Sequence, residues 1–163
     1  MKKWYETPQA ATLWTIARIW LGLQWFEAGL GKVTGGFEAG GFLQGAIAKA
    51  AGDHPAVQGW YASFLQSFAV PNIELFNILI PWGELLVGVG LILGAATIPA
   101  LIAGAFMNLN FLLAGTTSTN PILYTVAFVL LFVGSGATYW GVDRFAVPYL
   151  KAAMTKKAVK QKA

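Results

Sequence analysis

Hydrophobic positions in this chain fall into two kinds of run. Ala10 to Leu30, Ile73 to Leu93, Ile98 to Leu113 and Ile122 to Trp140 are apolar almost throughout. At a rise of ~1.5 Å per residue, runs of this size match a hydrocarbon core ~30 Å thick. The third is the shortest, but Pro99 suits a first helical turn and Gly115 with the following TTSTNP makes a stop, so its helix extends to about Gly115. The segment 33–72 reads differently. Val57, Trp60, Tyr61, Phe64, Leu65 and Phe68 follow the i, i+3, i+4, i+7 spacing of one helical face, which predicts an amphipathic helix over Pro55 to Ala69 with Asp53 as a cap. Phe42, Leu43, Ala46, Ile47 and Ala50 repeat that spacing more weakly. These helices are too short and too polar to span, and are expected to lie on the outer membrane surface as a roof. The predicted architecture is all-α: an integral membrane four-helix bundle forming a single domain over 1–163, with an external amphipathic helical segment between the first and second spans.

Composition supports immersion in lipid. Of 163 residues 56% are hydrophobic and only 11% charged, too few to furnish a water-facing shell. The first run carries Arg18 and Glu27 inside its apolar stretch and no small-residue cleavage site after it, so it is expected to stay in the protein and not act as a signal peptide. Lysines crowd into the N-terminal MKKWYE and the basic tail 151–163, whereas 33–72 is charge-balanced. By the positive-inside rule both termini of a multi-pass protein with this lysine distribution are expected to be cytoplasmic, the tail also suiting anionic lipid.

Polar residues within the spans are the candidate chemistry, because a lone charge at the bilayer centre costs at least ~2.5–3.5 kcal/mol. Counted from the span midpoints, Arg18, Glu84 and Asn108 share one central slab, which pairs Glu84 with Arg18 and gives Asn108 a further hydrogen bond. Glu27 and Asn77 lie roughly 10 Å outward, and Gln24 and Asn110 roughly 6 Å outward, in a layer that water can reach. Arg18 and Glu27 face opposite sides of an ideal helix, so Glu27 turns to Lys32 or to the roof. Pro81 removes a backbone hydrogen bond one turn before Glu84 and frees a carbonyl near Asn77. Trp25 and Trp82 are the two tryptophans placed to stack on an aromatic head group.

Other chemistries drop out. With no cysteine the chain has no disulfide, thiolate or iron–sulfur ligand, and with one histidine, His54, it has no bis-histidine haem site or metal centre. The basic residues form a tail and not an aromatic-interleaved patch, so no nucleic-acid partner is expected.

Three stretches, ARIWLGLQWFEAGLGKV from Ala17, IPWGELLVGVGLILG from Ile80 and GAFMNLNFLLAG from Gly104, resemble in order and spacing the DoxX/DoxD family of small four-helix bacterial membrane proteins. The matching features are Arg18 followed by Gly22 and by Gly29-x-x-Lys32, a central Glu84 followed by glycines, and an Asn-bearing third helix. The resemblance implies a protein of a bacterial plasma (inner) membrane linked to quinone-dependent oxidoreduction, DoxD being the membrane subunit of a thiosulfate:quinone oxidoreductase. A quinone accepts hydrogen bonds at two oxygens and takes up two protons on reduction, which suits Arg18 and Asn108 as donors and Glu84 as the protonatable candidate for catalysis. The full candidate set for quinone or ligand binding is Arg18, Trp25, Glu27, Asn77, Trp82, Glu84, Asn108 and Asn110. The quinone would be dissociable, and electrons would come from a redox partner subunit or a dissociable cofactor. Two other readings stay open: a non-enzymatic membrane scaffold or assembly factor, and a small proton-coupled transporter. Membrane lipid is a further partner, and a homo-oligomer is open.

Overall fold

The computed structural model describes residues 3–160, without the side chains of Lys151 and of residues 155–160, so the lysines of the basic tail fall outside the described side chains. The described chain is all-helical. After a 3-10 turn at Trp4–Glu6 come α1 (Pro8–Gly35), α2 (Ala39–Ala48), α3 (Gly59–Phe64), α4 (Ile73–Leu93), α5 (Thr97–Leu113), α6 (Asn120–Val133), α7 (Ser135–Thr138) and α8 (Asp143–Lys160).

Capping chemistry explains where several of these helices begin and end. The Thr7 hydroxyl accepts from Ala10 N at 3.3 Å and Pro8 fills the first turn, so α1 starts there. α4 closes on Gly94 in the left-handed conformation. α5 is capped from a distance: the Asp143 carboxylate accepts from Ala96 N and Thr97 N, both at 2.7 Å.

α1, α4, α5 and α6 run alternately up and down and close a ring, with α7 returning against α1. Its core is built on Leu21, Trp25, Val87, Leu91, Leu101 and Leu130. The α1–α4 crossing is the closest. A Cβ at Gly88 would overlap the Phe26 backbone and one at Gly29 the Leu85 backbone, so only glycine lets the two main chains approach this far. These contacts fix the register, with Gly22 opposite Ile92, Phe26 opposite Gly88 and Gly29 opposite Leu85.

The segment between α1 and α4 differs from expectation. Its helix starts at Gly59 and not at Pro55, and it does not end before the second span: the chain is helical without a break from Gly59 to Leu93. Pro71 explains the join. It lacks an N–H and its ring would strike the carbonyl one turn back, so the helix widens into a π turn over Leu65–Ala69, with Val70 N bonded to Leu65 O, before a 3-10 turn at Val70–Asn72. The expected apolar face also splits. Val57, Tyr61 and Leu65 join Leu43, Ala46 and Ala114 in a second core, while Trp60 (63% exposed), Phe64 and Phe68 point outward.

The fourth apolar run is interrupted as well. Gly134, at φ 52 and ψ −103, ends α6 and restarts the chain as α7, a conformation that a residue with a side chain rarely adopts. Among the described residues, Gly59–Leu93 is the one helix long and apolar enough by itself to cross a membrane; α5 and α6 are apolar but shorter.

Candidate functional site

Glu84 does not meet Arg18. Its carboxylate lies 2.6 Å from Lys32 Nζ, the one ion pair among the described residues, with the Glu84 side chain 3% exposed and that of Lys32 30%. The helix register explains the correction. Glu84 stands level with about Leu30 of α1, so Arg18 is some twelve residues away, ~18 Å along the axis. Span midpoints suggested one slab because hydropathy does not reveal how far two helices are offset. Lys32 lies three residues beyond Gly29, on the face that touches α4. The Gly29-x-x-Lys32 spacing was therefore the available signal for this partner.

Arg18 belongs to a separate cluster at the opposite end. Buried at 2% exposure, it donates from Nη1 to Ala137 O at 3.0 Å and from Nη2 to Trp140 O at 2.6 Å, satisfying carbonyls freed where α7 ends. Gly94 and Gly141 are bare against the guanidinium, and a Cβ at either would collide with Nη1. The break at Gly134 and the tight Gly94–Gly141 approach thus build a socket for Arg18. Its chemistry is structural.

Above the Lys32–Glu84 pair opens a cavity of about 420 Å³. α1 lines it with Gln24, Trp25, Glu27, Ala28 and Lys32; α4 with Ile80 and Glu84; α5 and α6 with Phe111 and Leu123. Phe37 and Phe42 close it from α2 and the turn before it, and Thr116, Ser118, Thr119 and Asn120 supply hydroxyl and amide groups from the α5–α6 loop. Phe42 and Phe111 meet edge to face across it, centroids 6.1 Å apart. The exposed members, Glu27 and Ala28 on one side and Ser118 and Thr119 on the other, place the mouth between α1 and the α5–α6 loop.

Of the eight candidate binding residues, Trp25, Glu27 and Glu84 line this cavity and the others do not. Asn77 instead accepts from Ala39 N at 2.7 Å through Oδ1, tethering the start of α2 to α4. Asn110 accepts from the Tyr61 hydroxyl at 3.0 Å through Oδ1, joining α5 to the outer core. Trp82 is half exposed on the outside of α4. Asn108 is completely buried, and neither its Oδ1 nor its Nδ2 has a hydrogen-bond partner, at a cost of ~1–3 kcal/mol for such groups. The loop residues Thr116 to Asn120 and the α2 aromatics had no signal beyond turn composition and weak periodicity, since only the tertiary fold brings them over α1.

Chemically, the cavity offers an ammonium donor and its carboxylate partner at the floor, aromatic walls and a polar rim, with two carboxylates against one cation. It suits an uncharged aromatic ligand with hydrogen-bonding oxygens better than an anion. Comparison with curated proteins and with solved structures gives no significant match. The DoxX family pattern, by contrast, matches residues 13–117, from α1 through the end of α5, and this includes Arg18, Lys32, Glu84 and Asn108. On that match the chain belongs to the DoxX family of membrane proteins.

Proposed function

We propose that this protein spans the bilayer with four helical passes, α1, α4, α5 and α6 with α7, and binds a quinone in the cavity above Lys32 and Glu84. Large apolar side chains are exposed on every side of the ring, among them Ile16 and Trp20 on α1, Ile78, Leu79 and Leu86 on α4, Ile102 and Phe106 on α5, and Phe128 and Phe132 on α6. A surface of that kind needs lipid against it. α4, at ~31 Å, matches a hydrocarbon core ~30 Å thick and α1, at ~42 Å, exceeds it, while the break at Gly134 splits the fourth pass between α6 and α7.

One observation carries the ligand reading: an ion pair at the floor of an aromatic-walled cavity. The Lys32 ammonium can donate to a quinone oxygen while Glu84 keeps it oriented, and the pair can deliver a proton to that oxygen when the ring is reduced. Two electrons and two protons convert the dione to the dihydroxy form. The electrons must come from a partner subunit or a dissociable cofactor, which makes this chain the membrane subunit of an oxidoreductase. Membership of the DoxX family is consistent with that reaction class, but two carboxylates at the cavity oppose entry of an oxyanion such as thiosulfate.

Purified protein in nanodiscs tests the reading. A short-tail quinone should quench tryptophan fluorescence saturably through Trp25, and Lys32→Met should weaken binding by tenfold or more. Absence of both saturable quenching and co-extracted quinone would retire it.

A further inference from the structure

Asn108 is buried with neither side-chain polar atom hydrogen-bonded, whereas Arg18 and Thr97, which leave Nε and Oγ1 unpaired, are each held through other atoms. Asn108 lies on the buried stripe of α5, four residues after Gly104, whose surface abuts the Trp25 indole and Val87, and three residues before Phe111. Trp25 and Phe111 both line the cavity. The antiparallel α4–α5 register sets Met107 against Gly83 and Gly104 against Val87, so Asn108 stands level with Glu84 and the cavity floor. The amide is thus at the right depth, hidden behind the cavity wall, with a donor and an acceptor both unpartnered. Buried amides in native proteins are normally paired, and one left orphaned in a well-formed core calls for a partner. A leucine of similar size would fill the same space without the desolvation cost.

We propose that Asn108 is a ligand-binding residue that selects a hydroxyl group, so that the cavity holds its ligand more tightly in the dihydroxy form than in the dione form. This rests on the quinone reading above. A quinone oxygen can satisfy only Nδ2. A hydroquinone hydroxyl accepts from Nδ2 and donates to Oδ1 together, pairing both orphaned atoms with one group. Access requires the Trp25 indole to turn aside. Gly104 has no side chain of its own there, so the indole rests directly on α5, where a larger residue would press against both it and Val87. Lys32 and Glu84 then serve the other oxygen of the ring.

The test compares a short-tail benzoquinone with its hydroquinone, titrated anaerobically into the full chain in nanodiscs, for wild type and Asn108→Leu. Wild type should bind the hydroquinone on the order of tenfold more tightly, the weight of one net hydrogen bond. Asn108→Leu should bind both forms equally while melting no lower than wild type. Asn108→Ala gives the same readout should leucine prove too large. A variant that keeps the hydroquinone preference overturns the assignment. If wild type binds neither form, the quinone reading fails, and a 4-alkylphenol decides Asn108 alone: phenol binding lost in Asn108→Leu sustains the hydroxyl site, and phenol binding absent from wild type or unchanged in the variant removes it.

Discussion

Lys32 and Glu84, 52 positions apart, meet at 2.6 Å because glycine at position 29 lets α1 and α4 touch backbone to backbone one turn below. The pair is asymmetric in exposure, and that asymmetry sets its energetics. Lys32→Met leaves the buried Glu84 carboxylate uncompensated and should cost ~3–5 kcal/mol of stability. Glu84→Gln leaves only a partly exposed ammonium, which can turn toward water, and should cost clearly less. The double variant should recover most of the loss in Lys32→Met. Denaturation of the three variants in detergent measures this, and equal costs for the two single changes would contradict it.

Arg18 should behave as a separate unit. Replacing it with Met strands the Ala137 and Trp140 carbonyls, and Arg18→Lys cannot bridge both, so each should destabilise by ~2–3 kcal/mol. A double-mutant cycle between Arg18 and Glu84 should be additive within ~0.5 kcal/mol, since ~18 Å of helix separates them. Coupling above 1 kcal/mol would mean the two sites communicate.

These two residues also show what the sequence could and could not convey. Burial of Arg18, Glu84 and Asn108 was legible, because polar groups inside apolar runs have few places to go in a bilayer. Their partners were not. Pairing depends on helix offset, and the N-terminal part of α1 runs past the end of α4 to dock Trp14 on Gly136. The amphipathic stripe from Val57 to Phe68 was legible as a helix, but periodicity could not tell that its two halves face different surroundings or that Pro71 would be absorbed by a π turn. The run Ile122 to Trp140 gave no sign of the break at Gly134. The positive φ of that glycine, the event that makes the Arg18 socket, depends on tertiary packing.

Membrane topology can be tested without background because the chain has no cysteine. Asp53→Cys, on the turn before α3, should react with an impermeant maleimide in intact cells, and Ala163→Cys only after permeabilisation, as the lysine distribution requires. The reverse pattern would invert the bundle. Labelling of both from one side would put the turn and the tail on the same face, an even number of passes apart, and would contradict the three passes proposed between them.

Asn77 ties the roof to the bundle, and through it the cavity. Its Oδ1 accepts from Ala39 N at 2.7 Å, the first residue of α2, just after the chain turns at Gly36 with φ 80. Apart from the packing of Ala39 and Gly40 beside Ile73, α2 has no other side-chain hydrogen bond to a neighbouring helix there among the described residues, the Glu38 carboxylate capping only Gly40 N and Gly41 N. Asn77→Leu keeps an apolar contact while removing the tether, at a global cost of only ~1–2 kcal/mol. The local effect should be larger. Amide hydrogen exchange over Ala39–Ala48 should speed up by tenfold or more while α4 and α5 stay protected. Phe37 and Phe42 would then cover the cavity only part of the time, so quinone affinity should fall and its off-rate rise although Asn77 itself touches no cavity wall. Faster exchange in α2 with unchanged quinone binding would show that the roof is packing alone, and that the site is complete in α1, α4, α5 and the loop before α6.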